Sequence, residues 1–98
     1  MNKAEVISQI ATKTGLNKSD VQTTIEAFFQ VIQQAMIEGK DVHFKGFGRF
    51  FSKKRSKKIA RNLINNTALI IDAHYVPTLK LSKDFVDKVK EALKDYKE

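Results

Sequence analysis

The sequence predicts an α+β fold in the order α-α-β-β-β-α, and three observations support this prediction. Two stretches near the N-terminus repeat apolar residues every three or four positions, as the buried face of a helix requires. After Gly39 the apolar residues alternate every second position, which is typical of strands. A last stretch, which Ser82 can cap, returns to the helical period. We therefore expect one domain that covers residues 1–98.

Both N-terminal helices carry start and stop signals. Asn2 can cap the first helix, with Glu5 at the third helical position as in a capping box, and Gly15 supplies a left-handed residue after it. Asn17 can cap the second helix, which is expected to end at Gly39. Because only about two residues connect the helices, they should pack as a helical hairpin.

A short first strand is predicted over residues 42–45. It leads into a Gly-Phe-Gly turn at residues 46–48. The turn lacks the further residues that a dinucleotide fingerprint or a P-loop needs, so it does not indicate a phosphate loop. We expect Phe47 and Phe50 to be core aromatics instead.

The second and third strands are predicted over residues 49–61 and 68–76, with a tight turn at Asn65-Asn66 between them. Pro77 follows the third strand, which suits an edge strand or a bend. Two strands of about ten residues, at about 3.3 Å each, reach roughly 30 Å. The chain has little left to cover such a ribbon, so an arm over about residues 53–76 should project from the body.

The excess positive charge lies in one stretch, residues 42–71, which contains no Asp or Glu. Solvated lysines on an edge strand would explain two or three cations, but a surplus this localised indicates a polyanionic partner, with nucleic acid first. The cations of this stretch are Lys45, Arg49, Lys53, Lys54, Arg55, Lys57, Lys58 and Arg61.

Composition argues against several other functions. The chain has no cysteine, so it has no disulfide and no thiol nucleophile. Its two histidines, His43 and His74, are far apart and are expected to be surface strand residues. We therefore expect no enzyme activity, no metal site and no cofactor. No apolar run approaches the roughly 20 residues of a membrane span, and the N-terminus does not resemble a signal peptide, so we expect a cytoplasmic protein without membrane contact.

Leu63 and Ile64 stand at the tip of the predicted ribbon, where polar turn residues are the usual choice. An exposed aliphatic pair between cationic strands suits insertion between base pairs, as in minor-groove benders. Alternatively, the pair packs back on its own arm or forms a contact between copies.

With these residues in place, the chain resembles the HU/IHF family of bacterial histone-like DNA-bending proteins, without gaps from residue 1 to about residue 94. The turn and the Arg-Asn pair are the more specific elements. The residues that carry the resemblance are the opening Met-Asn-Lys, Gly15-Leu16, Gly46-Phe47-Gly48-x-Phe50, Arg61-Asn62, and Val76-Pro77 followed by Lys80.

The resemblance implies an intertwined dimer with a helical body and two protruding β-ribbon arms that enter the minor groove. Dimerisation is also expected because the stripe that contains Phe28 and Phe29 is wider than this chain can cover. Family members carry Arg-Asn-Pro at the arm tip, whereas this chain has Leu63, which keeps apolar bulk but lacks the fixed φ of proline. The returning strand over residues 68–71 is also more apolar than the family pattern.

The resulting hypothesis is a nucleoid-associated architectural protein that binds double-stranded DNA with little sequence preference and bends or compacts it. A homodimer is expected, although a heterodimer with a paralogue, as one subunit of a sequence-preferring IHF-like protein, is the alternative. An RNA-binding or purely structural dimer is the rival from another class. The expected DNA-binding residues are Lys3, Lys45, Arg49, Lys53, Lys54, Arg55, Lys57, Lys58, Arg61, Asn62, Leu63, Lys80 and Lys83.

Overall fold

The computed structural model describes residues 1–62 and 67–96. It confirms the α-α-β-β-β-α order, with the second and third predicted strands each divided into two segments. The elements are α1 (Lys3–Thr14), α2 (Lys18–Ile37), β1 (Val42–Phe44), β2 (Gly48–Arg55), β3 (Lys58–Asn62), β4 (Thr67–Ile71), β5 (His74–Leu81) and α3 (Lys83–Ala92).

All three helices begin where the capping signals predict, and α1 and α2 also end beside their predicted glycines. Asn2, Asn17 and Ser82 each accept a hydrogen bond from the backbone N–H three residues on, at 3.0, 2.8 and 3.2 Å. Gly15 and Gly39 adopt left-handed φ values of 78° and 80° beyond the ends of α1 and α2, a conformation that costs glycine little. Within the described part of the chain, no helix is long and apolar enough to span a membrane.

The helical hairpin encloses a small apolar core. Ile7 and Ala11 of α1 pack with Val21 of α2, and all three are buried. Ile10 and Ile25 lie at the margin of this cluster and are only partly buried. The core therefore lies at the α1–α2 contact, and much of the remaining apolar surface of α2 is left uncovered within one chain.

Strands β1, β2 and β5 form an antiparallel sheet in the order β1-β2-β5. The third strand was predicted to end at Val76, but β5 continues through Pro77 to Leu81. Pro77 lies opposite Ser52 on an edge strand of this sheet. An edge strand accommodates proline because one side of its backbone has no ladder partner. The prediction of an edge position is confirmed, and the predicted end of the strand is wrong.

The Gly-Phe-Gly turn between β1 and β2 is confirmed. The Phe47 N–H donates to the Phe44 carbonyl at 2.9 Å, and Gly46 has a φ of 80°. Phe50 is half-buried, but Phe47 remains 46% exposed, so its prediction as a core residue is wrong for the isolated chain. Its ring contacts only one other aromatic ring among the described residues, that of Phe85, at a centroid distance of 5.4 Å.

The long ribbon is interrupted once in each strand. Strands β2 and β3 are separated at residues 56–57, and β4 and β5 are separated at residues 72–73, directly across the ribbon. Arg55 pairs with His74 before the gap and Lys58 with Ile71 after it, so the register is kept. The Asp72 carbonyl accepts a hydrogen bond from the His74 ring at 2.9 Å, which competes with cross-strand pairing there.

The arm makes the molecule elongated. Its radius of gyration is 19.3 Å and its principal extents are 58 × 39 × 28 Å. A compact domain of this length would have a radius of gyration of about 13 Å. Beyond the gap, β3 and β4 form a two-stranded sheet. The predicted projecting arm is therefore present.

Candidate nucleic-acid interface

The three-stranded sheet has one apolar face, and α2 packs against it. Antiparallel register and the alternation of side chains place Val42, Phe44, Phe50 and Leu79 on the same face. The Phe28 ring of α2 lies 5.5 Å from that of Phe44, centroid to centroid. The opposite face of the sheet is therefore the one directed away from this helix.

That opposite face is cationic. The same register places Arg49, Lys53 and Arg55 of β2 together with Lys80 of β5, which is directly opposite Arg49. We call these four residues the cationic face. The Arg49 guanidinium lies over the Phe51 ring at 4.4 Å from its centroid, which confirms that these alternate residues share a side. Strands β1, β2 and β5 contain no acidic residue.

The spacing of the cationic face matches a polyanion with closely spaced charges. Residues two apart on a strand are separated by about 7 Å. Each DNA strand carries one phosphate per roughly 3.4 Å of helix axis. Lys53 and Arg55, which are two apart and both exposed, can therefore reach different phosphates. In the free protein these like charges repel one another, and a bound polyanion removes that cost.

The remaining predicted cations of the ribbon divide by position. Lys54 lies opposite Tyr75, on the other face of the ribbon from its neighbours Lys53 and Arg55. Lys57 lies in the gap and Lys58 begins β3. Lys45 is exposed in the turn between β1 and β2. These cations are therefore arranged around the arm and its base, and they do not form one flat patch.

The tip of the arm is only partly described. The backbones of Arg61 and Asn62 belong to β3, opposite Ala68 and Thr67. The described residues do not include Leu63, Ile64 or the predicted turn at Asn65-Asn66.

Two predicted cations lie on the helical body. Lys83 begins α3. Lys3 begins α1, and its ammonium is 3.5 Å from the Glu26 carboxylate of α2. A hydrogen bond from Gln22, together with the charge of Lys3, lowers the pKa of Glu26. The pair is exposed, and such pairs contribute little to stability, so Lys3 can exchange this partner for a phosphate.

Among the described residues, the ion pairs do not involve the cations of the sheet. The pairs there all lie on helices or beside their ends, and none uses a cation of β2 or β5: they are Lys3–Glu26, Lys40–Glu38, Lys88–Asp84 and Lys94–Glu91. These four acids therefore neutralise lysines of the helical body and no cation of the sheet.

The sequence did not reveal which of these residues share a face of the sheet. His43 lies opposite Arg49, and His74 lies opposite Arg55, so both histidines are on the side of the cationic face. Both are exposed, which confirms them as surface strand residues. Phe51, beneath Arg49, was also missed. Alternation along 49–55 was the signal that could have separated the two faces.

A helical pair and a sheet that extends into a cationic two-stranded arm define the class of small bacterial histone-like DNA-binding proteins. The family model described as bacterial DNA-binding protein matches residues 1–90. The chain belongs to this family, and the resemblance to HU is confirmed.

Relatives and solved structures agree over nearly the whole chain. The chain is 36% identical to the DNA-binding protein HU of Clostridium pasteurianum over 89 residues, which cover 91% of this chain and 98% of the relative. It is 36% identical to HU of Geobacillus stearothermophilus over 90 residues, 92% and 100% of the two chains. An Anabaena HU–DNA cocrystal structure superposes with a TM-score of 0.86 at 32% identity, covering 91% of this chain and 97% of that one.

Proposed function

We propose that this chain is an architectural protein that binds double-stranded DNA with little sequence preference and bends or compacts it. The observation that carries the proposal is the cationic face, Arg49, Lys53, Arg55 and Lys80, which runs from the three-stranded sheet of the body onto the projecting arm. Phosphate contacts from such a face position DNA without reading bases. The family membership, and a neighbour crystallised with DNA, support the same conclusion.

In this proposal the arms lie in the minor groove. A groove about 6 Å wide admits a ribbon only when bending opens it, and a smooth bend of 40–90° costs about 1–6 kcal/mol. The phosphate contacts that the bent DNA gains along the arm offset this cost. Arg61 and Asn62 then approach the base edges, while Lys53, Lys54, Arg55, Lys57 and Lys58 hold the phosphates on both rims.

Cations at the base of the arm and on the body extend the site to flanking DNA. Lys80 is on the cationic face, and Lys45 lies in the exposed turn between β1 and β2. Lys83 begins the helix that follows β5, and Lys3 is held only by an exposed ion pair. DNA bent around the arms would bring its ends toward these four residues.

The active species in this proposal is a homodimer. Phe28 and Phe29 of α2 are 44% and 47% exposed, and Val31 and Ile37 of the same helix are 68% and 77% exposed. Apolar surface on this scale marks an interface, because monomeric proteins rarely leave adjacent aromatic rings in water. Phe47, half-exposed in the chain, would complete its burial in the same interface.

A heterodimer with a paralogue, as in a sequence-preferring IHF-like protein, is the second candidate. The exposed apolar surface of α2 is compatible with either partner, and mass measurement of the purified assembly separates them. An RNA-binding or structural dimer is less well supported, because the deep, narrow major groove of duplex RNA does not admit side chains.

The proposal assigns no enzyme activity, metal or cofactor to the chain, and it places the protein in the cytoplasm on the bacterial nucleoid. Membership of a family of DNA-binding proteins supports these assignments.

A salt titration tests the function. We expect log K for linear duplex DNA to fall steeply with log salt, by about 0.9 for each phosphate neutralised. A pre-bent or nicked duplex should bind more tightly, since its bending cost is already met. Replacing Arg55 by alanine should flatten the slope about equally for different sequences. A slope near zero, or tighter binding to duplex RNA than to duplex DNA, would remove the proposal.

The arm tip gives a separate prediction. If Leu63 inserts between base pairs, Leu63→Ala should reduce DNA bending more than affinity, because the phosphate contacts survive while the wedge shrinks. Leu63→Pro should retain or increase the bend, since proline is the family residue and has a fixed φ. Energy transfer between dyes at the duplex ends measures the angle. An unchanged angle in Leu63→Ala would show that Leu63 packs on the arm and does not insert.

A further inference from the structure

The outer part of the arm carries four large aliphatic side chains that are exposed in the isolated chain. Ile59, Leu69, Ile70 and Ile71 are 72%, 51%, 63% and 43% exposed. We call these four residues the aliphatic arm surface. Exposed aliphatic side chains grouped in this way on one ribbon mark a contact surface.

The aliphatic arm surface occupies both faces of the ribbon. Ile59 pairs directly with Ile70, so these two side chains share one face. Leu69 and Ile71 alternate with Ile70 along β4 and are therefore on the other face. Packing back on the protein body would cover one face at most. A partner that surrounds the ribbon is needed to cover both.

The positive charge of the arm indicates which partner the aliphatic arm surface contacts. The same strands carry Lys58 and Arg61, and residues 42–71 contain no acid. A second copy of the arm would bring identical cations against these and would be repelled. Duplex DNA offers complementary chemistry, because its minor groove has phosphates at the rims and the C–H groups of deoxyribose along both walls. A ribbon that entered this groove edge-on would meet one sugar wall with each face.

We propose that the aliphatic arm surface contacts the deoxyribose walls of the minor groove and supplies a salt-independent part of the DNA affinity. This inference rests on the DNA-binding function proposed above and adds a second energetic component to it. The cations neutralise phosphates, a contribution that salt weakens. The aliphatic residues remove apolar surface from water, a contribution that salt at these concentrations changes little.

The test uses the paired substitution Ile59→Thr with Ile70→Thr. Threonine keeps the β-branched shape and strand preference of isoleucine but exchanges an ethyl group for a hydroxyl. We expect the plot of log K against log salt to shift down in parallel by about tenfold, with an unchanged slope. Calorimetry should show a less negative heat-capacity change on binding, since less apolar surface is buried.

Two controls in the same arm make the result specific. Ile59→Val with Ile70→Val keeps an aliphatic surface and should change affinity by less than about threefold. Lys58→Ala should show the opposite signature, a flatter slope. Circular dichroism and sedimentation without DNA check that the fold and the assembly are intact.

The outcomes separate this inference from the function on which it depends. Failure of the wild-type protein to bind DNA would remove the proposed function. Salt-dependent binding by the wild type, with equal affinity for the threonine pair, would overturn only the inference. A changed slope in the threonine pair would also overturn it. So would loss of self-association by that pair without DNA, because the surface would then bind a second copy.

Discussion

Phe29→Asp is expected to abolish the proposed homodimer and, with it, DNA binding. The centroid of the Phe29 ring lies 6.1 Å from that of the Phe28 ring. Phe28 in turn contacts Phe44 on the apolar face of the sheet. Burying a phenylalanine stabilises a folded protein or an interface by about 1.5–3 kcal/mol. In a two-fold symmetric interface the same residue is buried once in each protomer. A carboxylate there also carries a desolvation cost. We expect an unfolded chain or a weak monomer in sedimentation and thermal melts.

The matched control is Gln30→Asp, which adds the same charge one residue further along α2. Gln30 is exposed and lies about 100° round the helix from Phe29, so its variant should remain dimeric with a nearly unchanged melting temperature. The dimer proposal would be refuted by a wild-type protein that sediments as a well-folded monomer at micromolar concentration. It would also be refuted by a Phe29→Asp variant that behaves like the wild type.

Reversing two charges of the cationic face, Lys53→Glu with Arg55→Glu, is expected to cause the largest loss of DNA binding. A homodimer would lose about four phosphate contacts, each worth about 0.9 in the salt slope. At about 0.1 M salt this corresponds to roughly three to four orders of magnitude in affinity. The slope should flatten by the same amount, and the helices should keep their circular dichroism because both residues are exposed strand residues.

The control for total charge is Lys13→Glu with Lys94→Glu, which changes the net charge by the same amount on other elements. Lys13 is in the last turn of α1. Lys94 follows α3 and makes an exposed ion pair with Glu91 of that helix. This control should bind DNA within about tenfold of the wild type, because exposed charges beyond a Debye length of roughly 10 Å contribute little. If it loses as much affinity as the arm variant, binding follows net charge and the cationic face has no special role.

The helices and the helical hairpin could be predicted closely from the sequence, because their determinants are local. Asn2, Asn17 and Ser82 form caps with the N–H three residues on, and Gly15 and Gly39 follow the helices they end. These signals operate within a few residues of the chain. The localised charge was also visible in the sequence, since it depends only on which residues occupy 42–71.

The strands were predicted less accurately, because their ends depend on partners far along the chain. Pro77 was expected to end the third strand, yet β5 continues to Leu81 because Pro77 lies on an edge. The gap at residues 56–57 was not predicted, since it requires a matching gap in the other strand. Phe47 was expected in the core, but one chain has too few elements to cover it.

The sequence by itself determined the order of elements, the helix limits, the surplus of cations and the family resemblance. Only the tertiary structure decided which cations share a face, because that depends on pairings such as Arg49 with Lys80. It also explains Gly48, where a Cβ atom would lie 2.9 Å from the Lys80 carbonyl oxygen of the neighbouring strand. Capping and charge are encoded within one segment, whereas register and close approach exist only once two distant segments have paired.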